Sequence, residues 1–166
     1  MKNLKGRIVL FLILQLFWIL WNNSWDLKTW LYGLVIVIPV VLLFSGGTYI
    51  FKGVKMNPQS VFYSLQYVII FIIELTKSNI DVIFRVLDPK LPIRPGIVRV
   101  KTELKSPLAR LILANSITLT PGTFVVDMKE DTIYVHWIDV CCDNDPQEIT
   151  NNIAGKFEKI LMKIYE

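Results

Sequence analysis

Residues 108–128 read LARLILANSITLTPGTFVVDM. Hydropathy alone would make this stretch a membrane crossing. Its punctuation says otherwise. Ser106-Pro107 just upstream is a helix N-cap followed by proline in the first turn. Leu119-Thr120-Pro121-Gly122-Thr123 is a turn, and TFVVDM after it is β-branched and strand-like. The segment is therefore expected to be a short helix, a corner and a strand.

The neighbouring sequence extends this pattern. Ile97 to Thr102 (IVRVKT) alternates apolar and polar residues, as a strand does. Thr123–Met128 and Thr132–Val140 form a strand pair joined by Lys129-Glu130-Asp131. Asp145-Pro146 caps a last helix running to Ile164. Its apolar residues Ile149, Ile153, Phe157, Ile160, Leu161 and Ile164 recur at three- and four-residue steps. Residues 88–166 thus read as a small α+β domain of order β-α-β-β-α, with helices over one sheet face.

Residues 1–87 have a different composition. They hold 8 Lys/Arg and 3 Asp/Glu, against 10 and 11 in residues 88–166. The pI of about 9.1 and mean hydropathy of +0.47 come from a few cations beside apolar segments. That is not the clustered basic face of a nucleic-acid-binding protein. The runs Ile8–Trp21 and Thr29–Phe44 are each shorter than the roughly 20 residues that cross a bilayer, and approach that length with their flanks. Trp18, Trp21, Trp25, Trp30 and Tyr32 crowd the loop between them, like an aromatic belt. A cleavable signal peptide is disfavoured, because WNNSW offers no small-residue cleavage site. Lys2, Lys5, Arg7, Lys52 and Lys55 flank the outer ends of this hairpin, and only Lys28 lies in its loop. The positive-inside rule then puts both ends, including residues 46–57, in the cytoplasm.

A third helix is expected over Pro58–Leu87. Its greasy first half precedes Glu74, Lys77, Ser78, Asp81 and Arg85, which fall along one helical face. A full crossing would put the following cations outside, against the charge rule. A helix lying obliquely at the cytoplasmic interface, or against partner helices, is the favoured expectation, and a third span is the alternative. Glu74, Lys77 and Asp81 are candidates for an ion relay. The plainer and preferred reading gives them a polar face meeting headgroups, with Lys77–Asp81 and Asp81–Arg85 as ion pairs.

Sites for chemistry are sparse. The single histidine, His136, precedes Cys141-Cys142, too few and too poorly spaced ligands for a zinc site. There is no phosphate loop, dinucleotide fingerprint, zinc-protease motif or nucleophile elbow. The sequence offers no enzyme, cofactor or metal site.

One resemblance is specific. The elements Asp88-Pro89-Lys90-Leu91, Arg94-Pro95-Gly96-Ile97, Lys101-Thr102-Glu103-Leu104, Ser116 to Thr123 (SITLTPGT) and Tyr134-Val135-His136 resemble the E subunit of Mrp-type (Mnh) multisubunit sodium/proton antiporters. Asp88 and Cys141-Cys142 depart from that pattern. The resemblance implies an accessory, non-enzymatic subunit of the cell membrane. It would support the assembly and activity of ion-translocating large subunits and keep its small domain in the cytoplasm. Its partners would be other membrane subunits and the bilayer. An equivalent subunit occurs in membrane-bound hydrogenase-type and related ferredoxin-linked respiratory complexes. Under the resemblance, Arg94, Pro95, Gly96, Lys101, Thr102, Thr118, Thr120, Pro121, Gly122 and Thr123 take structural or subunit-interface roles. The alternative from another class is a free-standing, membrane-anchored metal-binding domain using His136 and the cysteine pair.

Overall fold

The computed structural model describes residues 4–44, 57–140 and 145–166, with Lys5 as backbone only. Cys141-Cys142 and the topology cations Lys2, Lys52 and Lys55 lie outside the described residues. The chain divides into two compact units, Met1–Val54 and Lys55–Glu166.

In the first unit, helices α1 (Leu4–Asn22) and α2 (Leu27–Leu43) pack against each other. Gln15, the lone polar residue of its run, is buried and donates from Nε2 to the Trp30 carbonyl at 3.2 Å. Trp18 Nε1 donates to the Thr29 carbonyl at 3.0 Å. Gly33 permits this approach, because a Cβ there would lie 2.5 Å from Gln15 Nε2. Small residues and cross-helix hydrogen bonds are the usual means of joining apolar helices. No described helix is by itself long and apolar enough to cross a membrane. The helix α2 has 17 residues, and α1 carries Lys5 and Arg7 in its first turn. The two expected crossings therefore do not follow from these helices alone.

The second unit begins with α3 (Pro58–Leu87), whose first turn is capped by Asn57 Oδ1 accepting from the Ser60 amide. Strand β1 (Gly96–Lys101), helix α4 (Pro107–Leu119) and strands β2 (Thr123–Lys129) and β3 (Thr132–Trp137) follow. The last helix is α5 (Pro146–Thr150), a π-helical turn (Asn151–Gly155) and α6 (Lys156–Tyr165) in succession. The sheet is antiparallel in the order β1-β3-β2, with a bulge between Val125 and Asp127. The expected β-α-β-β-α order is present. The third strand is shorter than expected, ending at Trp137 instead of Val140. Beyond it the chain turns to bridge Asp139 with Arg94 in parallel.

Val98 and Val100 of β1 and Ile133 and Val135 of β3 face the core, against Leu104, Leu113 and Ile117. All six apolar residues expected to line the last helix are buried. Ile149, Ile153 and Phe157 are four residues apart, and each such step overshoots an α-helical turn by about 40°. The wider π-turn absorbs this drift and keeps the three on one side.

The compact unit that holds the sheet also holds α3, which packs on α6. Tyr63, Tyr67, Ile70 and Phe71 pack against the core, and the Tyr67 and Phe71 rings meet that of Phe157 at 6.0 and 6.3 Å. Packing this tight makes the core sensitive to truncation. Leu113 is fully buried, so Leu113→Ala is expected to cost about 2–5 kcal/mol. Denaturant titration should show an earlier midpoint at unchanged slope.

Candidate functional site

The polar side of α3 is turned toward the rest of its own unit. A cleft of about 260 Å³ separates it from the helix-to-strand corner, lined by Glu74, Lys77, Asp81 and Arg85 on one side and Thr120–Thr123 on the other. The chain just beyond β3 and the π-turn close it, through Asp139 and Asn152. Two sets of sequence-nominated residues, the α3 charges and the TPGT corner, thus meet in one place. His136 is exposed and does not line the cleft.

Charges here are paired. Glu74 accepts from Lys156 at 2.8 Å and from Lys77 at 3.3 Å. Arg85 Nε donates to Asp81 at 2.7 Å. One Arg85 terminal nitrogen donates to Asp139 Oδ2 at 2.7 Å and to the Pro92 carbonyl at 2.8 Å. Arg94 Nε takes the other Asp139 oxygen at 2.9 Å. The expected Asp81–Arg85 pair is present. The expected Lys77–Asp81 pair is replaced by Lys77–Glu74, one turn back, where the carboxylate is more buried. Two groups of the polar face, Glu74 and Arg85, meet Lys156 and Asp139 of the protein's own domain, while Lys77 and Asp81 stay exposed.

Asp139 is held below the usual carboxylate range, first by its hydrogen bond from Arg94 and then by that from Arg85. No sequence motif marks it. The available signal was a carboxylate at the apolar end of a strand, between Ile138 and Val140.

The TPGT corner is built from its own hydroxyls. Thr120 Oγ1 donates to the Ser116 carbonyl at 2.7 Å, ending α4. Thr123 Oγ1 donates to the Ile117 carbonyl at 2.6 Å. Thr118 Oγ1 accepts from the Val125 amide at 3.3 Å, tying α4 to β2. Gly122 has φ +90°, and a Cβ there would sit 2.9 Å from Ile138 Cγ2. The Ile138 amide donates to the Gly122 carbonyl at 2.8 Å, so the corner also fixes the chain leading to Asp139.

The remaining nominated residues lie elsewhere in this unit. Thr102 donates from Oγ1 to Glu158 Oε1 at 2.6 Å, and the Glu103 amide donates to the same oxygen at 2.7 Å. The Lys101 amide donates to Thr150 Oγ1 at 3.3 Å. Gly96 lets the chain pass Val140, whose Cγ2 would be 3.0 Å from a Cβ. Pro95 separates Arg94 from β1. These residues fasten elements together. Among the described residues, no cluster of three or more His, Cys, Asp or Glu could hold a metal ion. Among the described residues that line the cleft there is no histidine or cysteine.

Comparison with known proteins gives a consistent result. The sequence profile of the Na+/H+ ion antiporter subunit family matches residues 11–164. The E1 subunit of the Na(+)/H(+) antiporter of Staphylococcus haemolyticus is 35% identical, over 96% of this chain and 98% of its own. The E subunit of the Na(+)/H(+) antiporter of Alkalihalophilus pseudofirmus is 32% identical, over 95% and 97%. Among solved structures, a chain of the membrane-bound sulfane sulfur reductase, an archaeal respiratory membrane complex, superposes with a TM-score of 0.81. It is 34% identical, over 96% of this chain and 99% of that one.

Two substitutions test the site. Asp139→Asn leaves Arg85 and Arg94 without their shared anion and is expected to destabilise the unit by about 1–3 kcal/mol. Because its folded-state pKa is depressed, Asp139 contributes stability above its unfolded value of about 4, and this is lost as pH falls further. The gap between wild type and Asp139→Asn should therefore be constant near neutrality and narrow below about pH 4, as followed by denaturation across pH. Gly122→Val should cost about 1–3 kcal/mol through its backbone angle, with further loss from the clash with Ile138. Limited proteolysis at the corner would report it.

Proposed function

The chain belongs to the family of E subunits of Na+/H+ antiporters, and on that footing we propose that it is an accessory subunit of a multisubunit cation/proton antiporter. It supports assembly and activity of the ion-translocating subunits. In this reading residues 1–87 are the membrane-associated part and residues 88–166 a cytoplasmic domain. The α1–α2 hairpin enters the membrane with both ends on the cytoplasmic side, as the excess of flanking cations favours.

The observation that carries the proposal is the apolar surface both units leave open. Leu12, Phe17 and Val35 of the hairpin are exposed, and so are Phe62, Ile69 and Phe84 of α3. Free-standing soluble proteins rarely leave contiguous apolar surface of this kind uncovered. Glu74, Lys77 and Asp81 act in this proposal as positioning groups, since each is held in an ion pair. The motif residues from Arg94 to Thr123 hold the domain in the shape its partner subunits meet.

A second reading places the same subunit in a respiratory membrane complex. The near full-length likeness to the archaeal sulfane sulfur reductase chain favours it. The metal-binding alternative rests on His136 together with Cys141 and Cys142, and both cysteines lie outside the described residues.

Purification of the tagged full chain from its native membranes in mild detergent should bring down several large hydrophobic antiporter-like subunits. Deletion should abolish sodium-dependent proton exchange in everted vesicles, with recovery on re-expression. Co-purifying redox subunits would select the respiratory setting. A lone monodisperse chain would overturn both.

A further inference from the structure

We infer that α3 lies along a bilayer surface and does not cross it, with its outer apolar ridge as the lipid-contacting face of the second unit. The inference rests on the membrane attachment proposed above and adds the residues that make the contact.

The inner side of α3 is fastened to its own domain along almost the whole helix. Lys163 Nζ lies 5.2 Å from the Tyr63 ring centroid. The Tyr67 hydroxyl is 2.6 Å from that of Ser116. Glu74 holds Lys156 at 2.8 Å, and Arg85 holds Asp139 at 2.7 Å. From Tyr63 to Arg85 the helix rises about 33 Å, more than the roughly 30 Å of bilayer hydrocarbon. An upright α3 would therefore carry α6 into the hydrocarbon beside it. Lys156, Lys159 and Lys163 would then sit at membrane depth, where charged side chains are strongly disfavoured.

The outer side has the opposite character. Phe62, Leu65, Ile69, Ile73, Ile80 and Phe84 are all exposed, the two phenylalanines by 65% and 69%. No Asp, Glu, Lys or Arg occurs from Val61 to Ile73. The small polar residues on the exposed side satisfy themselves on the helix backbone. Ser64, Thr76 and Asn79 each donate to the carbonyl four residues earlier, at 2.8 Å. An apolar medium demands this arrangement, because it supplies no partners. Lys77, 64% exposed in its side chain, borders the ridge between Ile73 and Ile80. Its long stem can cover apolar surface while the ammonium stays in water.

Lipid, more than a partner helix, suits the composition of this ridge. Interfaces between membrane helices favour Gly, Ala and other small residues that let backbones approach. The 30 residues of α3 include no glycine and no alanine, and of its three serines and one threonine only Ser64 and Thr76 are exposed. Bulky aliphatic and aromatic side chains on one side, with charges on the other, are the pattern of an in-plane amphipathic helix.

Site-directed spin labelling of the full chain tests this. Cys141 and Cys142 are replaced by serine, and labels are placed singly at Phe62→Cys, Ile69→Cys, Ile73→Cys, Ile80→Cys and Phe84→Cys. All five side chains are exposed, so labelling them disturbs no packing. The protein is reconstituted in vesicles of phosphatidylethanolamine and phosphatidylglycerol. Depth is read from accessibility to oxygen against a water-soluble nickel chelate. The expected result is one shallow depth at all five positions, with oxygen favoured. A depth that rises to a maximum mid-helix and falls again means a crossing and overturns the inference. Low access to both reagents, meaning cover by protein, overturns it too, as does free access to nickel. A label at Leu12→Cys separates the two claims. If Leu12 is in lipid and the ridge is not, only this inference falls, whereas a Leu12 label in water removes the membrane attachment as well.

Discussion

A helix that turns its charges inward needs protein groups to receive them, and Arg85 is where α3 meets that requirement. Its guanidinium binds Asp81 on its own helix, Asp139 beyond β3 and the Pro92 carbonyl of the connector. Its own helix, the connector seven residues on and the segment beyond β3 are thereby set against one planar group. Arginine suits this position because its donors point in fixed, divergent directions, and lysine would supply only a point charge. With the C-terminal half of α3 held here, Glu74 comes within reach of Lys156, and Tyr67 and Phe71 within reach of Phe157.

The same logic recurs wherever a strand ends. At the far end of β1, the buried Glu158 carboxylate accepts from the Thr102 hydroxyl and the Glu103 amide. Glu166 accepts from the amides of Lys105 and Ser106 just before α4. At the start of β2, the hydroxyls of Thr120 and Thr123 close the end of α4. A three-stranded sheet has little core of its own. Its corners are instead fixed by short polar contacts to the surrounding helices, which explains why threonines, a proline and a glycine cluster at the turns.

The elements of the domain were legible because each carries local chemistry. The Ser106 cap, the TPG turn and the alternation in β1 depend only on near neighbours. The placement of α3 was not legible. Its charged face was plain from the spacing, but spacing cannot say whether headgroups, a partner or the chain's own domain receives it. Lys156 lies 82 residues from Glu74, and Asp139 lies 54 from Arg85. Lys77 had two carboxylates within helical reach, and tertiary burial of Glu74 decided between them. The cleft shared by the TPGT corner and the α3 charges is likewise a product of folding. Neither motif alone points to the other.

The two compact units differ in how they expose apolar surface, yet the family profile and the relatives extend across both. Leu119, Phe124 and Val126 of the domain are exposed along with the α3 ridge. The hairpin held by Gln15, Trp18 and Gly33 exposes apolar side chains such as Leu12, Phe17 and Val35. A domain held by Arg85, Glu158 and the TPGT corner is rigid where it is polar and open where it is apolar. This division of labour makes sense for a component of a larger assembly. Internal ion pairs fix the polar contacts of the second unit, while apolar side chains of both units stay exposed.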